Sequence, residues 1–217
     1  MTLLRIDSSI LGPYSASRAL ADIVQKHWLE EHPTATVVTR DLAADPITAA
    51  SWMGAVSAGQ TPEDQRSAEQ KAALELAGQL AAELRNAETV IVATGLYNWG
   101  VNQLLKSWFD LAFVGVPQGD QPLAGKDVAL VVTRGGYYGE DGPRAGWDHA
   151  TGWYVRMLSE VWGGNVTVVD RDFTLVGVNP ALDEFKEQGA ALHTAALDKA
   201  EATGKELAQA YAARKSA

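Results

Sequence analysis

The stretch Thr89–Phe113, TVIVATGLYNWGVNQLLKSWFDLAF, decides how this chain is read. Its first six residues, Thr89 to Thr94, form an apolar, β-branched run, the pattern of a parallel strand buried on both faces. From about Val101 the pattern becomes helical, with Leu104, Leu105, Trp108, Leu111 and Ala112 three and four residues apart. Between strand and helix lies Gly95-Leu96-Tyr97-Asn98-Trp99-Gly100. In an open α/β sheet, ligands bind at the turns that follow the carboxyl ends of strands. Aromatic surface, an amide and free backbone groups suit a flat heterocycle with polar edges. The same aromatics could equally plug the end of a sheet.

Working outward toward the N-terminus, Thr2 to Asp7 alternates into a short strand. Ser8 to Ser17 follows as a small-residue loop, and a helix runs from about Ser17 to Glu31 with Leu20, Ile23, Val24 and Trp28 on one face. Ser15 or Ser17 is the expected N-cap. Hydroxyls, a glycine and a helix N-terminus directly after a strand make an anion cradle, although an ordinary serine-rich cap would look the same. Neither GxxxxGK[ST] nor GxGxxG is present. Ala35 to Asp41 reads as a second strand and Leu42 to Gln60 as a long loop. Thr61-Pro62-Glu63-Asp64 then resembles the start of a helix running to about Arg85.

Toward the C-terminus, Val114 to Gly125 is a Gly- and Pro-rich loop. Asp127 to Thr133 is a fourth strand and runs into Arg134-Gly135-Gly136-Tyr137-Tyr138. Paired glycines there permit close approach of backbone to a ligand, or simply turn the chain. A helix is expected from about Ala150 to Trp162, a fifth strand from Asn165 to about Thr174, and a last helix from near Pro180. Gly189 and Gly204 are candidate interruptions of that helix.

Strand and helix therefore alternate five times. The expected fold is a flavodoxin-like three-layer α/β sandwich, a five-stranded parallel sheet in the order 2-1-3-4-5 with helices on both faces. In that order the loops after strands one, three and four meet at one edge of the sheet.

Composition narrows the function. The 217 residues fit one large domain, with 47% hydrophobic and 21% charged residues. A formal net charge of −9 argues against nucleic acid or an anionic membrane surface as partner. There is no cysteine, and the four histidines are scattered, so a metal site is not expected. No signal peptide or membrane-spanning run is read, and the expected location is the cytoplasm.

An anion cradle beside two ring-sized turns outlines flavin mononucleotide, and here the residues carry a resemblance. Ser9 with Ser15-Ala16-Ser17, Leu96-Tyr97-Asn98-Trp99, Thr133-Arg134-Gly135-Gly136, Asp41-Leu42-Ala43-Ala44-Asp45-Pro46 and Gln103-Leu104-Leu105-Lys106 together resemble the FMN-dependent NADH azoreductase and NAD(P)H quinone reductase family. The likeness spans nearly the whole chain and implies one flavodoxin-like FMN-binding domain over 1–217. It implies that Ser9, Ser15, Ala16 and Ser17 hold the phosphate. Leu96 to Trp99 would line the ring, with Asn98 on its pyrimidine edge, and Thr133 to Gly136 would close over the other side. No catalytic acid–base residue is then required, because the flavin carries the chemistry. The implied reaction is ping-pong hydride transfer from NADH, or NADPH, to a quinone or azo compound. The alternative is a flavin-binding electron carrier that docks a protein partner.

Trp52, Tyr137 and Trp162 are candidate walls of the acceptor pocket. Two departures from the family stand out: Val116 to Pro122 lacks the family's usual aromatic, and Gly95 replaces a common proline. Aromatics concentrated near the site (Trp52, Trp99, Trp108, Phe109, Phe113, Tyr137, Tyr138, Trp147 and Trp162) suggest an exposed patch and a homodimer with flavin sites at the interface.

Overall fold

Side-chain alternation along the strands sends successive residues to opposite faces, and both faces here are apolar. The computed structural model, which describes residues 1–216, shows how they are covered. Strands β1 (Thr2–Asp7), β2 (Thr36–Asp41), β3 (Thr89–Gly95), β4 (Asp127–Thr133) and β5 (Asn165–Arg171) are parallel, in the order β2-β1-β3-β4-β5. The helices are α1 (Ala16–Glu31), α2 (Ala49–Ala58), α3 (Ala68–Asn86), α4 (Gln103–Gly115), α5 (Thr151–Arg156) and α6 (Lys186–Ser216).

Ile91, Ala93, Ala129 and Val131 pack on one side with α1 and α6, through Leu20, Val24, Trp28 and Ala200. Val90, Val92, Val128, Leu130 and Val132 face the other side, against α3, α4 and α5. Every residue of β3 is buried, as its unbroken apolar run predicts for the centre of the sheet.

Several local expectations change. Leu42–Gln60 is not one loop: Ala49–Ala58 forms α2, with the Thr48 hydroxyl accepting from the Ser51 N–H at 3.0 Å. Its sequence AASWMGAVSA carries no charged face, so the amphipathic signal is missing. Thr61 does not start α3. Glu63–Gln65 makes a single 3₁₀ turn, and the true start is a capping box in which Ser67 and Gln70 satisfy each other's backbone N–H groups.

Neither Gly189 nor Gly204 interrupts α6. Gly204 instead lets α6 approach α1, since a Cβ there would lie 2.5 Å from the Val24 carbonyl. The helix expected to end at Trp162 widens into a π turn over Met157–Val161, with the Trp162 N–H donating to the Met157 carbonyl at 3.1 Å.

The aromatic patch also divides. Trp108, Phe109 and Trp162 are fully buried, with Trp162 centred 5.6 Å from Trp108, 4.9 Å from Phe109 and 5.2 Å from Phe113. Trp162 is thus part of the core and not a wall of an acceptor pocket. The reason is the π turn, which directs it toward α4. Trp52, Trp99 and Trp147 remain substantially exposed.

Candidate functional site

The ends of β1, β3 and β4 are stitched together before any ligand is considered. The Ser8 N–H and hydroxyl both donate to the Ala93 carbonyl, at 3.0 and 3.1 Å. The Leu96 N–H donates to the Thr133 carbonyl at 2.8 Å. Asn102, 2% exposed, joins the first two loops. Its side-chain oxygen caps α4 at Leu104 and Leu105, and its Nδ2 donates to the Ser8 carbonyl at 3.0 Å. Its own N–H donates to the Tyr154 hydroxyl at 2.7 Å. Burial pushes the Tyr154 hydroxyl up to about 12, so it stays protonated at neutral pH. Asn102 was not singled out in the sequence. The signal for it was a good N-cap residue two positions before Leu104, where the apolar periodicity begins.

The first loop ends in Ser15, whose hydroxyl accepts from the Arg18 N–H at 3.2 Å and so caps α1. Ser15 and Ser17 share a hydrogen bond at 3.1 Å, and both are buried, as is Ser9. The N–H groups of Ala16 and Ser17 begin the helix and have no acceptor four residues back. Behind them Arg18 forms a bidentate pair with Asp41, at 2.7 and 2.6 Å, and donates to the Ser9 carbonyl at 3.1 Å. Asp7 lies beneath, with Arg5 at 3.0 Å and one carboxylate oxygen without a hydrogen-bond partner among the described residues. Burial raises its pKa against the pull of Arg5 and Arg18.

The second loop is a tight turn. Asn98 and Trp99 both have positive φ, 48° and 62°, and the Gly100 N–H donates to the Tyr97 carbonyl at 3.1 Å. Two consecutive left-handed residues define a type I′ turn, a conformation that favours glycine and is strained for tryptophan. Strain of this kind concentrates at ligand-binding sites. The Tyr97 hydroxyl lies 3.4 Å from the Ser9 hydroxyl, so the first two loops touch. Trp99 meets Trp147 edge-on at 5.8 Å.

The third loop is held from outside. The carbonyls of Arg134, Gly135 and Gly136 accept from the N–H groups of Thr174, Leu175 and Phe173. No hydrogen-bond partner for the N–H groups of Gly135 and Gly136 occurs among the described residues. The Arg134 side chain points into a carboxylate cage, with Asp148 at 2.8 Å, Asp172 at 2.9 Å and Asp170 at 3.2 Å. Burial pulls the Arg134 pKa down, but the bonds to Asp172 and Asp148 outweigh it and hold the guanidinium charged. Arg134 can therefore offer a ligand its backbone, not its guanidinium.

The three loops thus bring Ser9, Ser15, Ala16, Ser17, Leu96, Tyr97, Asn98, Trp99, Thr133, Gly135 and Gly136 to one edge of the sheet. Trp52 lines a groove made by α2 and Gln60. Tyr137 lines a cavity beside the Gly135-Gly136 turn, with Phe173 and Phe185. Among the described residues no cluster of His, Asp or Glu could hold a metal ion, and no helix is long and apolar enough to cross a membrane.

A five-stranded 2-1-3-4-5 sheet with its donors collected at the β1/β3/β4 edge defines the flavodoxin class. Residues 1–200 match the model of the flavodoxin-like fold family. An FMN-dependent NADH:quinone oxidoreductase of Parafrankia sp. is 36% identical over 200 residues, which cover 89% of this chain and 94% of that one. The enzyme of the same name from Streptomyces avermitilis is 32% identical over 216 residues, 98% of this chain and 99% of that one. Among solved structures, an azoreductase from Bacillus anthracis superposes with a TM-score of 0.75 at 22% identity, covering 95% of this chain and 99% of that one. The chain belongs to the flavodoxin-like family of FMN-dependent NADH:quinone oxidoreductases.

Proposed function

We propose that the chain binds FMN at the β1/β3/β4 edge and reduces quinones, and azo compounds as a second acceptor class, with NADH as donor. The observation that carries this reading is a set of donors on three converging loops that have no partner among the described residues: the Ala16 and Ser17 N–H groups, the Asn98 amide, and the Gly135 and Gly136 N–H groups. One end of the set suits a phosphate, through buried hydroxyls and the positive end of α1. The other suits the polar edges of a flat ring, which the exposed Trp99 and the half-buried Leu96 would flank. Bound flavin supplies the hydride-accepting and hydride-donating chemistry.

The residues of the chain then bind, orient and stabilise charge. Ser9, Ser15 and Ser17 hold the phosphate, with Arg18 bracing the Ser9 carbonyl. Asn98 reads the pyrimidine edge, and the glycine N–H groups face charge gained on reduction. Donor and acceptor are both planar and use one crevice in turn, which gives ping-pong kinetics. Among the described residues no Lys/Arg cluster stands ready for a 2′-phosphate, so NADH is favoured over NADPH. A homodimer would cover the exposed Trp52, Trp99 and Trp147 and keep water from the ring. The cytoplasm is where such an enzyme meets its NADH.

The test is fluorescence titration of flavin-free protein with FMN, followed by steady-state oxidation of NADH with a simple quinone. Tight FMN binding and parallel double-reciprocal lines are expected. Failure to bind FMN, or FMN binding unchanged by Ser17→Glu, overturns the assignment. An electron carrier would bind FMN but show no quinone turnover.

A further inference from the structure

The Gly135-Gly136 turn also borders a cavity of about 370 Å³, lined by both glycines and the segment after β5 but by no residue of the Ser9–Ser17 loop or the Tyr97–Gly100 turn. One wall is an aromatic column. The Tyr137 ring lies 5.3 Å from Phe173 and within 13° of parallel, and Phe173 lies 5.1 Å and 19° from Phe185. Phe173 has φ 56°, a conformation bulky residues rarely adopt, and its N–H donates to the Gly136 carbonyl at 3.0 Å. The strained residue is thus anchored to the turn itself. Leu182 adds further apolar lining.

Arg144 also lines this cavity and is exposed to solvent. Its guanidinium lies 5.8 Å over the Tyr138 ring and has no ion-pair partner among the described residues. A Cβ on Gly136 would fall 2.5 Å from Arg144 Nη1, so the guanidinium lies close against this glycine. The one carboxylate in the lining, Asp141, is engaged by the Tyr137 hydroxyl at 2.6 Å. The faces of Phe173 are taken by Tyr137 and Phe185, and the edges of such a column accept a planar ring by edge-to-face contact. An unpaired guanidinium accepts a carboxylate or sulfonate through paired N–H donors. Apolar cavities with a few converging polar groups are where small ligands bind.

We propose that this cavity binds a planar aromatic anion, with its ring on the Tyr137–Phe173–Phe185 wall and its acidic group on Arg144. The site adjoins the flavin cleft at Gly135 and Gly136 and can be filled together with it. Only that last clause rests on the FMN reading.

Calorimetric titration of the full chain with naphthalene-2-sulfonate, and with the neutral naphthalene-2-sulfonamide, tests the proposal. The sulfonate should bind more tightly than the sulfonamide. Arg144→Gln should weaken the sulfonate by about tenfold and leave the sulfonamide nearly unchanged. Leu182→Trp, which fills the cavity, should abolish binding of both while a melting curve verifies the fold. Saturating FMN should not alter the sulfonate affinity. No binding, no preference for charge, or indifference to both variants overturns the proposal. Competition with FMN overturns it too, because it places the probe in the flavin cleft. A chain that binds the probe but not FMN defeats the flavin reading and leaves this cavity standing.

Discussion

The side-chain amide of Asn102 donates to the carbonyl of Ser8 at 3.0 Å, across 94 residues of sequence. This bond fixes the distance between the loop after β1 and the start of α4. It therefore fixes the spacing between the proposed phosphate and ring ends of the site. Asn102→Ala removes the α4 cap, worth about 1 kcal/mol, and leaves a buried carbonyl unpaired at about 1–3 kcal/mol. Urea unfolding should show a loss of roughly 2–4 kcal/mol. Asn102→Asp keeps the cap but sets a carboxylate against the Ser8 carbonyl. It should be no more stable than Asn102→Ala at pH 7 and should still weaken FMN binding.

The Arg134 cage predicts an acid-sensitive edge. Burial raises the Asp148 pKa, but bonds from Thr151, Ala150 and Arg134 outweigh this and hold it below its ordinary 3.8. For Asp170, burial is likewise outweighed by Lys199 and Arg134. A carboxylate with a depressed folded pKa stabilises fully above its unfolded pKa and loses that stabilisation as pH falls through the folded value. Wild-type stability should accordingly fall below about pH 4. Arg134→Gln leaves buried carboxylates uncompensated and should cost about 3–5 kcal/mol at pH 7. The gap from wild type should narrow at pH 3, as measured by urea unfolding at both values. A constant gap would show that the cage is not what Arg134 stabilises.

Asn98 holds φ 48° in the turn proposed to read the flavin ring. Asn98→Gly should relieve that conformation and raise stability by about 0.5 kcal/mol, while weakening FMN binding. A variant that is more stable and binds FMN as tightly as wild type would remove Asn98 from the site.

Two helical glycines give opposite expectations. A Cβ at Gly204 would lie 2.5 Å from the Val24 carbonyl and 2.9 Å from the His27 Cβ, whereas one at Gly78 meets nothing within 4 Å. Gly204→Ala should destabilise by about 1–3 kcal/mol as α6 is forced off α1. Gly78→Ala should stabilise by about 0.5–1 kcal/mol through helix propensity. Melting temperatures that move the same way in both variants would refute the close approach.

The sequence by itself determined the strands, their order and the edge where the ligand loops collect. Those features follow from local periodicity: β3 is apolar throughout, and Ser15 caps α1 where serines precede an amphipathic run. Only the tertiary structure decided the rest. Trp108 and Trp99 lie nine positions apart with similar surroundings in sequence. One is sealed by Phe109 and Trp162 while the other sits exposed on a strained turn. Arg134 stands in a turn that reads as ligand-binding, yet its charge is consumed by Asp148, Asp170 and Asp172, residues that come near it only when β5 pairs with β4 and α5 folds back. Helix α2 forms without a charged face because α3 and α4 pack beside it. Burial and charge pairing depend on partners distant in the chain, and no local pattern of residues encodes which partners those are.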